Sequence, residues 1–101
     1  MKECCKTYLD EQFGDDDVAA EIYAEYAASL GEKLGEAGPA LAAGDWSRLD
    51  KIAHTIKGNA LAAGDQEMAD AAIACRKAAA LCDAALASSL VEKMLNLSKE
   101  L

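Results

Sequence analysis

Apolar residues recur every three or four positions along almost the whole chain, and glycine or aspartate interrupts them at intervals, so the sequence predicts a succession of helices. In a first segment, about 2–13, Cys5, Leu9 and Phe13 stand four apart, and Gly14 follows as a left-handed terminator. Asp15, Asp16 and Asp17 then offer an N-cap and an acidic first turn, which suit the positive end of a helix dipole. The second helix carries the row Val18, Ile22, Tyr26, Leu30, Leu34, Ala37 and Leu41, with Tyr23 beside it. Gly31, Gly35 and Gly38 weaken it by up to about 1 kcal/mol each relative to alanine, and Pro39 removes a backbone donor, so a kink or break is expected near 38.

Gly44 ends that segment and Asp45 caps a third helix starting at Trp46, with the row Trp46, Leu49, Ala53, Ile56, Ala60 and Ala63 and with Ile52 beside it. Gly64 stops it. Asp65 caps a fourth helix, whose row is Met68, Ala72, Cys75, Ala79 and Cys82. No glycine or proline marks the next boundary and only Asp83 offers a cap; beyond it Leu86, Leu90, Met94, Leu97 and Leu101 form the last row. Short connections make successive helices antiparallel neighbours. The expected class is all-α: an antiparallel four-helix bundle with a short additional N-terminal helix.

Composition narrows the picture. The 101 residues suit one domain spanning 1–101, and alanine richness favours helix over sheet. A formal net charge of −8 repels phosphate backbones and anionic lipid, so neither nucleic acid nor membrane is an expected partner. No run approaches a spanning helix and the opening "MKECCKTYLDEQFG" is too charged for a signal peptide, so the chain reads as cytoplasmic. The four cysteines lack CxxC spacing and fit buried thiols better than a disulfide framework or a zinc site.

The lone histidine is the candidate for chemistry. At 100° per residue His54 lies roughly 140° from the centre of the third helix's apolar row, so its imidazole points outward. Ser47, Asp50, Lys51, Lys57, Gly58 and Leu61 fall within roughly 60° of it. Leu61 makes that face partly greasy, a surface onto which another protein could settle. A neutral imidazole is a competent nucleophile, and Lys57, one turn away, could reach the oxygens of a phosphoryl group carried on Nε2. Gly58 removes bulk where an in-line phosphoryl donor would approach, whereas Gly64 is explained by helix termination.

"HTIKG" followed by "NALAAG" resembles the H-x-[LI]-K-G-x(5)-G signature of histidine-containing phosphotransfer (HPt) domains, through His54, Ile56, Lys57, Gly58 and Gly64. The neighbouring "AAGDW" and "LDKIA" and the helix lengths extend the resemblance over about 14–98. It implies a four-helix bundle that does not phosphorylate itself with ATP. Its exposed histidine would take a phosphoryl group from an aspartate of a response-regulator receiver domain and pass it to another receiver, with a hybrid sensor histidine kinase as a further partner. By position, His54 would be phosphorylated, Lys57 would stabilise the phosphoryl group and Gly58 would give clearance, with Asp50, Lys51 and Leu61 as docking residues. No cofactor of its own is expected, and Mg2+ would belong to the receiver.

The sequence departs from many members on the fourth helix, where "ACRKAA" places Arg76 and Lys77 in a segment often rich in Gln or Glu; either could face the site or bulk solvent. A second function class is a non-phosphorylated adaptor that binds a receiver or kinase through the His54/Leu61 face. An enzyme using His54 as general base is disfavoured, because no second histidine or evident nucleophile accompanies it.

Overall fold

Five helices follow one another in the computed structural model, which describes residues 1–101: α1 (Glu3–Phe13), α2 (Asp16–Ala42), α3 (Trp46–Ala63), α4 (Gln66–Ala80) and α5 (Ala84–Ser98). The three junctions inside the bundle repeat one device. A residue in the left-handed region, Gly44, Gly64 or Cys82, ends a helix, and the next residue, Asp45, Asp65 or Asp83, donates its N–H to Ala40, Ala60 or Ala78 at 2.9, 2.8 and 3.0 Å. The same aspartates cap the following helix by accepting from the N–H of Arg48, Met68 and Leu86. Each junction thus closes one helix and starts the next within a few residues, which folds neighbours back antiparallel.

α2 sets the length of the molecule: 27 residues at 1.5 Å each span about 40 Å, against a longest dimension of 42 Å. α3 packs on α2 and α4, and α5 closes the ring against α4 and α2, while α1 lies across α2 and α3. The core between the four long helices is built from aliphatic residues, Met68, Met94 and many alanines, whose small side chains let the helices approach closely. Leu9, Ala19 and Tyr23 form a smaller cluster that seats α1.

Several sequence expectations need correction. α2 runs unbroken through Pro39, with no interruption near 38, and Ala43 N–H donates to the Pro39 carbonyl at 3.0 Å. Pro39 takes away the N–H that would bond the Gly35 carbonyl, but both residues are exposed, so water can serve that carbonyl, and buried Ala37 and Ala40 hold the turn on the core. At its N-terminal end the buried row of α2 is Ala19 and Tyr23 rather than Val18 and Ile22, because α1 covers that side and Tyr23 Oη accepts from the Lys2 backbone N–H at 3.0 Å. Phe13 and Leu86 are exposed, and Ala87 and Val91 take the core positions of α5. Of the four cysteines, all free, Cys5 and Cys75 are buried but Cys4 and Cys82 are exposed. Cys82 is not a core residue of α4 at all: its φ of 51° makes it the terminator that the sequence lacked as a glycine.

Asp65 is the one buried charged residue, fully enclosed yet satisfied. Lys2 Nζ reaches it at 3.0 Å and Tyr26 Oη donates to it at 2.7 Å, so this cap also fastens α1 and α2 to the α3–α4 junction. Burial and then the bond to Asp65 push the Tyr26 hydroxyl well above the usual tyrosine range. Burial pulls Lys2 down, but the hydrogen bond and charge of Asp65 outweigh it and leave the ammonium above its ordinary value.

Candidate functional site

The orientation of α3 decides where His54 points. Leu49, Ile52, Ala53, Ile56, Ala60 and Ala63 are buried along one side of the helix, and Asn59 at the edge of that side donates to Ser29 of α2 at 2.9 Å. His54, next to fully buried Ala53, is therefore turned outward and exposed. The helix position of the imidazole is fixed by packing that it takes no part in.

One side chain from the neighbouring helix reaches it. Arg76 of α4 places Nη1 at 3.0 Å from His54 Nδ1 and donates through Nε to Asp50 Oδ1 at 2.9 Å. Asp50, Arg76 and His54 thus form a chain across the α3–α4 groove, with the guanidinium between a carboxylate and the ring. The groove, about 740 Å³, runs along Trp46, Asp50, Lys57, Ile73, Arg76 and Lys77. Lys57 is partly buried at its edge and makes no ion pair, leaving its ammonium available to an anion. Three cations therefore line this groove on a chain of net charge −8.

Gly58, Leu61 and Lys51 are all exposed on the surface around His54. Gly58 is exposed, and a Cβ built there would meet nothing within 4 Å, so no contact within the chain requires glycine. Leu61 is 44% exposed, a large apolar side chain about two turns from the ring on the same face of α3. Lys51 is exposed. Asp50, Lys57 and Arg76 line the groove, whereas Lys51, Gly58 and Leu61 are exposed and do not line it. Between the two α4 cations left open by the sequence, the structure brings Arg76 to the ring. The Asp50–Arg76 pair was not legible because residues 26 apart on different helices meet only once the packing register is known.

Cys75, one residue before Arg76, offers no competing nucleophile. Burial, and then the charge of Asp50, hold its thiol up at about 11, so the reactive thiolate is scarce at neutral pH.

A family model of the Hpt domain matches residues 21–101, from within α2 to the last residue, and so includes the His54 face and all of α3 to α5. The chain belongs to the Hpt domain family. Hpt domains are phosphotransfer carriers that act in phosphorelay signalling with receiver domains and kinases. α1, with Lys2 and Cys5, lies outside the matched span. Comparisons with curated proteins and with solved structures return no significant match. No helix is long and apolar enough to cross a membrane.

Proposed function

We propose that this chain is a phosphorelay intermediate in multistep two-component signalling, in which His54 accepts a phosphoryl group from a receiver aspartate and passes it to another receiver. The observation that carries this reading is the exposed imidazole of α3 beside the open surface at Gly58, inside the segment that the Hpt family matches. In the transfer, the lone pair of Nε2 forms a bond to phosphorus as the bond to the aspartyl oxygen breaks, its electron pair leaving with the carboxylate.

Lys57 meets the phosphoryl oxygens as a point charge. Gly58 lets the receiver bring its aspartyl phosphate into line with Nε2. Leu61 supplies apolar contact at the rim, and Lys51 and Asp50 supply charge. The chain has no enclosed substrate pocket around Nε2; the receiver contributes the other wall, together with the Mg2+ that neutralises its aspartyl phosphate. The protein is a carrier on this reading, without autokinase activity, and works in the cytoplasm.

The test is incubation with a panel of phosphorylated receivers, reading acid-labile, hydroxide-stable label on the wild type and on His54→Gln. Label on the wild type and none on the variant is expected. Equal label on both overturns the assignment of His54. Receiver binding that is lost in Leu61→Asp, with no label on the wild type, replaces the carrier with a non-phosphorylated adaptor.

A further inference from the structure

An arginine guanidinium has five N–H donors and no acceptor. At 3.0 Å from His54 Nδ1, Arg76 Nη1 can only donate, so Nδ1 must present its lone pair. A neutral imidazole has a single N–H, which then sits on Nε2; an imidazolium, with N–H on both nitrogens, offers the guanidinium nothing to bond to. Arg76 is held in this place from its other side by Asp50 at 2.9 Å.

We propose that Arg76 is a positioning residue that gates the nucleophile, by holding resting His54 in the Nε2–H tautomer until it is drawn off. This rests on the reading of His54 as the phosphoryl acceptor. While the contact stands, Nε2 bears a proton and the Nδ1 lone pair is occupied, so neither nitrogen is ready to attack. When Arg76 withdraws, the proton passes through water from Nε2 to Nδ1 and the freed Nε2 lone pair takes the phosphoryl group. The ring then holds a proton on Nδ1 and phosphorus on Nε2; it releases the Nδ1 proton to solvent, and Arg76 can donate to Nδ1 again.

The same contact guards the product. Breaking the N–P bond is easy when Nδ1 is protonated, because the ring then leaves as neutral imidazole rather than as an anion. A guanidinium on the Nδ1 lone pair opposes that protonation, from a groove it shares with the charges of Asp50 and Lys57 on α3 and Lys77 on α4, while exposed Lys51 lies outside it. Arg76 thus slows both loading and loss. A receiver whose carboxylates attract the guanidinium would release the gate on docking, which couples transfer to the correct partner.

Two measurements test this on the full chain. The 15N spectrum of the imidazole reads the tautomer directly: the neutral ring of the wild type should carry its proton on Nε2, and Arg76→Glu, whose carboxylate accepts from Nδ1–H, should move it to Nδ1. Potassium phosphoramidate, a donor too small to need docking, then reads chemistry. Arg76→Ala should load about threefold faster and lose its label about threefold faster than wild type, with Arg76→Lys closer to wild type; a partly exposed charged contact has that order of effect. A wild-type ring protonated on Nδ1, or both rates unchanged in Arg76→Ala, overturns the gate. If phosphoramidate labels no variant at His54, the acceptor reading fails, and the tautomer spectra still decide whether Arg76 sets the ring.

Discussion

Replacing Gly58 with alanine should make the protein more stable and a worse partner, and the two effects can be sized separately. A Cβ at 58 touches nothing within 4 Å, and the residue lies inside α3, so the substitution adds helix propensity without a clash. Alanine in place of a helical glycine stabilises by about 0.5–1 kcal/mol, which raises Tm by roughly 2–8 °C in a domain of this size. The new methyl group, however, stands one turn from His54 on the surface where, in the proposed transfer, a receiver brings phosphorus to about 3–3.5 Å from Nε2. A displacement of about 1 Å from that alignment costs on the order of 100-fold in rate. Thermal melting by circular dichroism measures the first effect and the time course of label transfer from a phosphorylated receiver the second. Labelling by phosphoramidate should be nearly unchanged, since that donor needs no clearance for a protein surface. Gly58→Ala that transfers from the receiver as fast as wild type would refute the clearance argument, and a lowered Tm would refute the open-space geometry beneath it.

Further outcomes follow from the rest of the structure. Cys82→Gly should stabilise by about 0.5–1 kcal/mol, read as a higher urea midpoint, because it relieves a side chain held at a φ of 51° while losing only an exposed thiol. Asp65→Ala should cost about 2–4 kcal/mol, since it removes a cap and leaves the buried Tyr26 hydroxyl without its acceptor; a loss no larger than that of Asp45→Ala, a cap without buried partners, would contradict this. Burial holds the Cys5 thiol at about 12 and the Cys75 thiol at about 11, against an ordinary value of 9.0. The folded state keeps these protons while the unfolded chain releases them above pH 9, so stability is full below that pH and falls as pH rises. By pH 10 the two thiols together should cost about 2–3 kcal/mol in urea denaturation, and Cys5→Ala with Cys75→Ala should flatten that fall.

The elements most legible in the sequence are those whose signals are local. Gly44–Asp45 and Gly64–Asp65 state a helix end and a helix start in two adjacent residues, and the apolar row of α3 alone was enough to turn His54 outward. What was not legible depends on contacts between distant segments. Val18 and Ile22 satisfy helical spacing as well as Ala19 and Tyr23 do; only the docking of α1, with Lys2 on Tyr23, selects the second pair. Cys82 hides a terminator because hydrogen bonds on both sides can hold a non-glycine residue in the left-handed region against a strain of about 1–2 kcal/mol, so no glycine has to mark the site. Arg76 and Lys77 are neighbours in sequence with the same charge, and the roughly 100° between them on α4 decides which one meets the ring.

The site differs from an enclosed active site in what fixes its atoms. His54 is positioned by the buried side of its own helix, where Ala53 and Ile56 pack without reaching the imidazole, so changes at the ring should leave the fold intact. Nothing encloses the phosphoryl group on the free protein, which puts the exclusion of water on the docked partner. If His54 carries phosphorus as proposed, the ring meets solvent between two dockings, and the charged groups on this side of the chain are the unpaired Lys57 and an arginine tied to Asp50. Over the roughly 8 Å that charge acts at physiological salt, those cations matter more than the net charge of the whole chain. They attract the oxygens of an arriving phosphoryl group, while the arginine holds the nitrogen whose protonation would let the group go. On the proposed reading, the lifetime of the carried group is set by the contact at Nδ1, and its destination by the surface at Gly58 and Leu61.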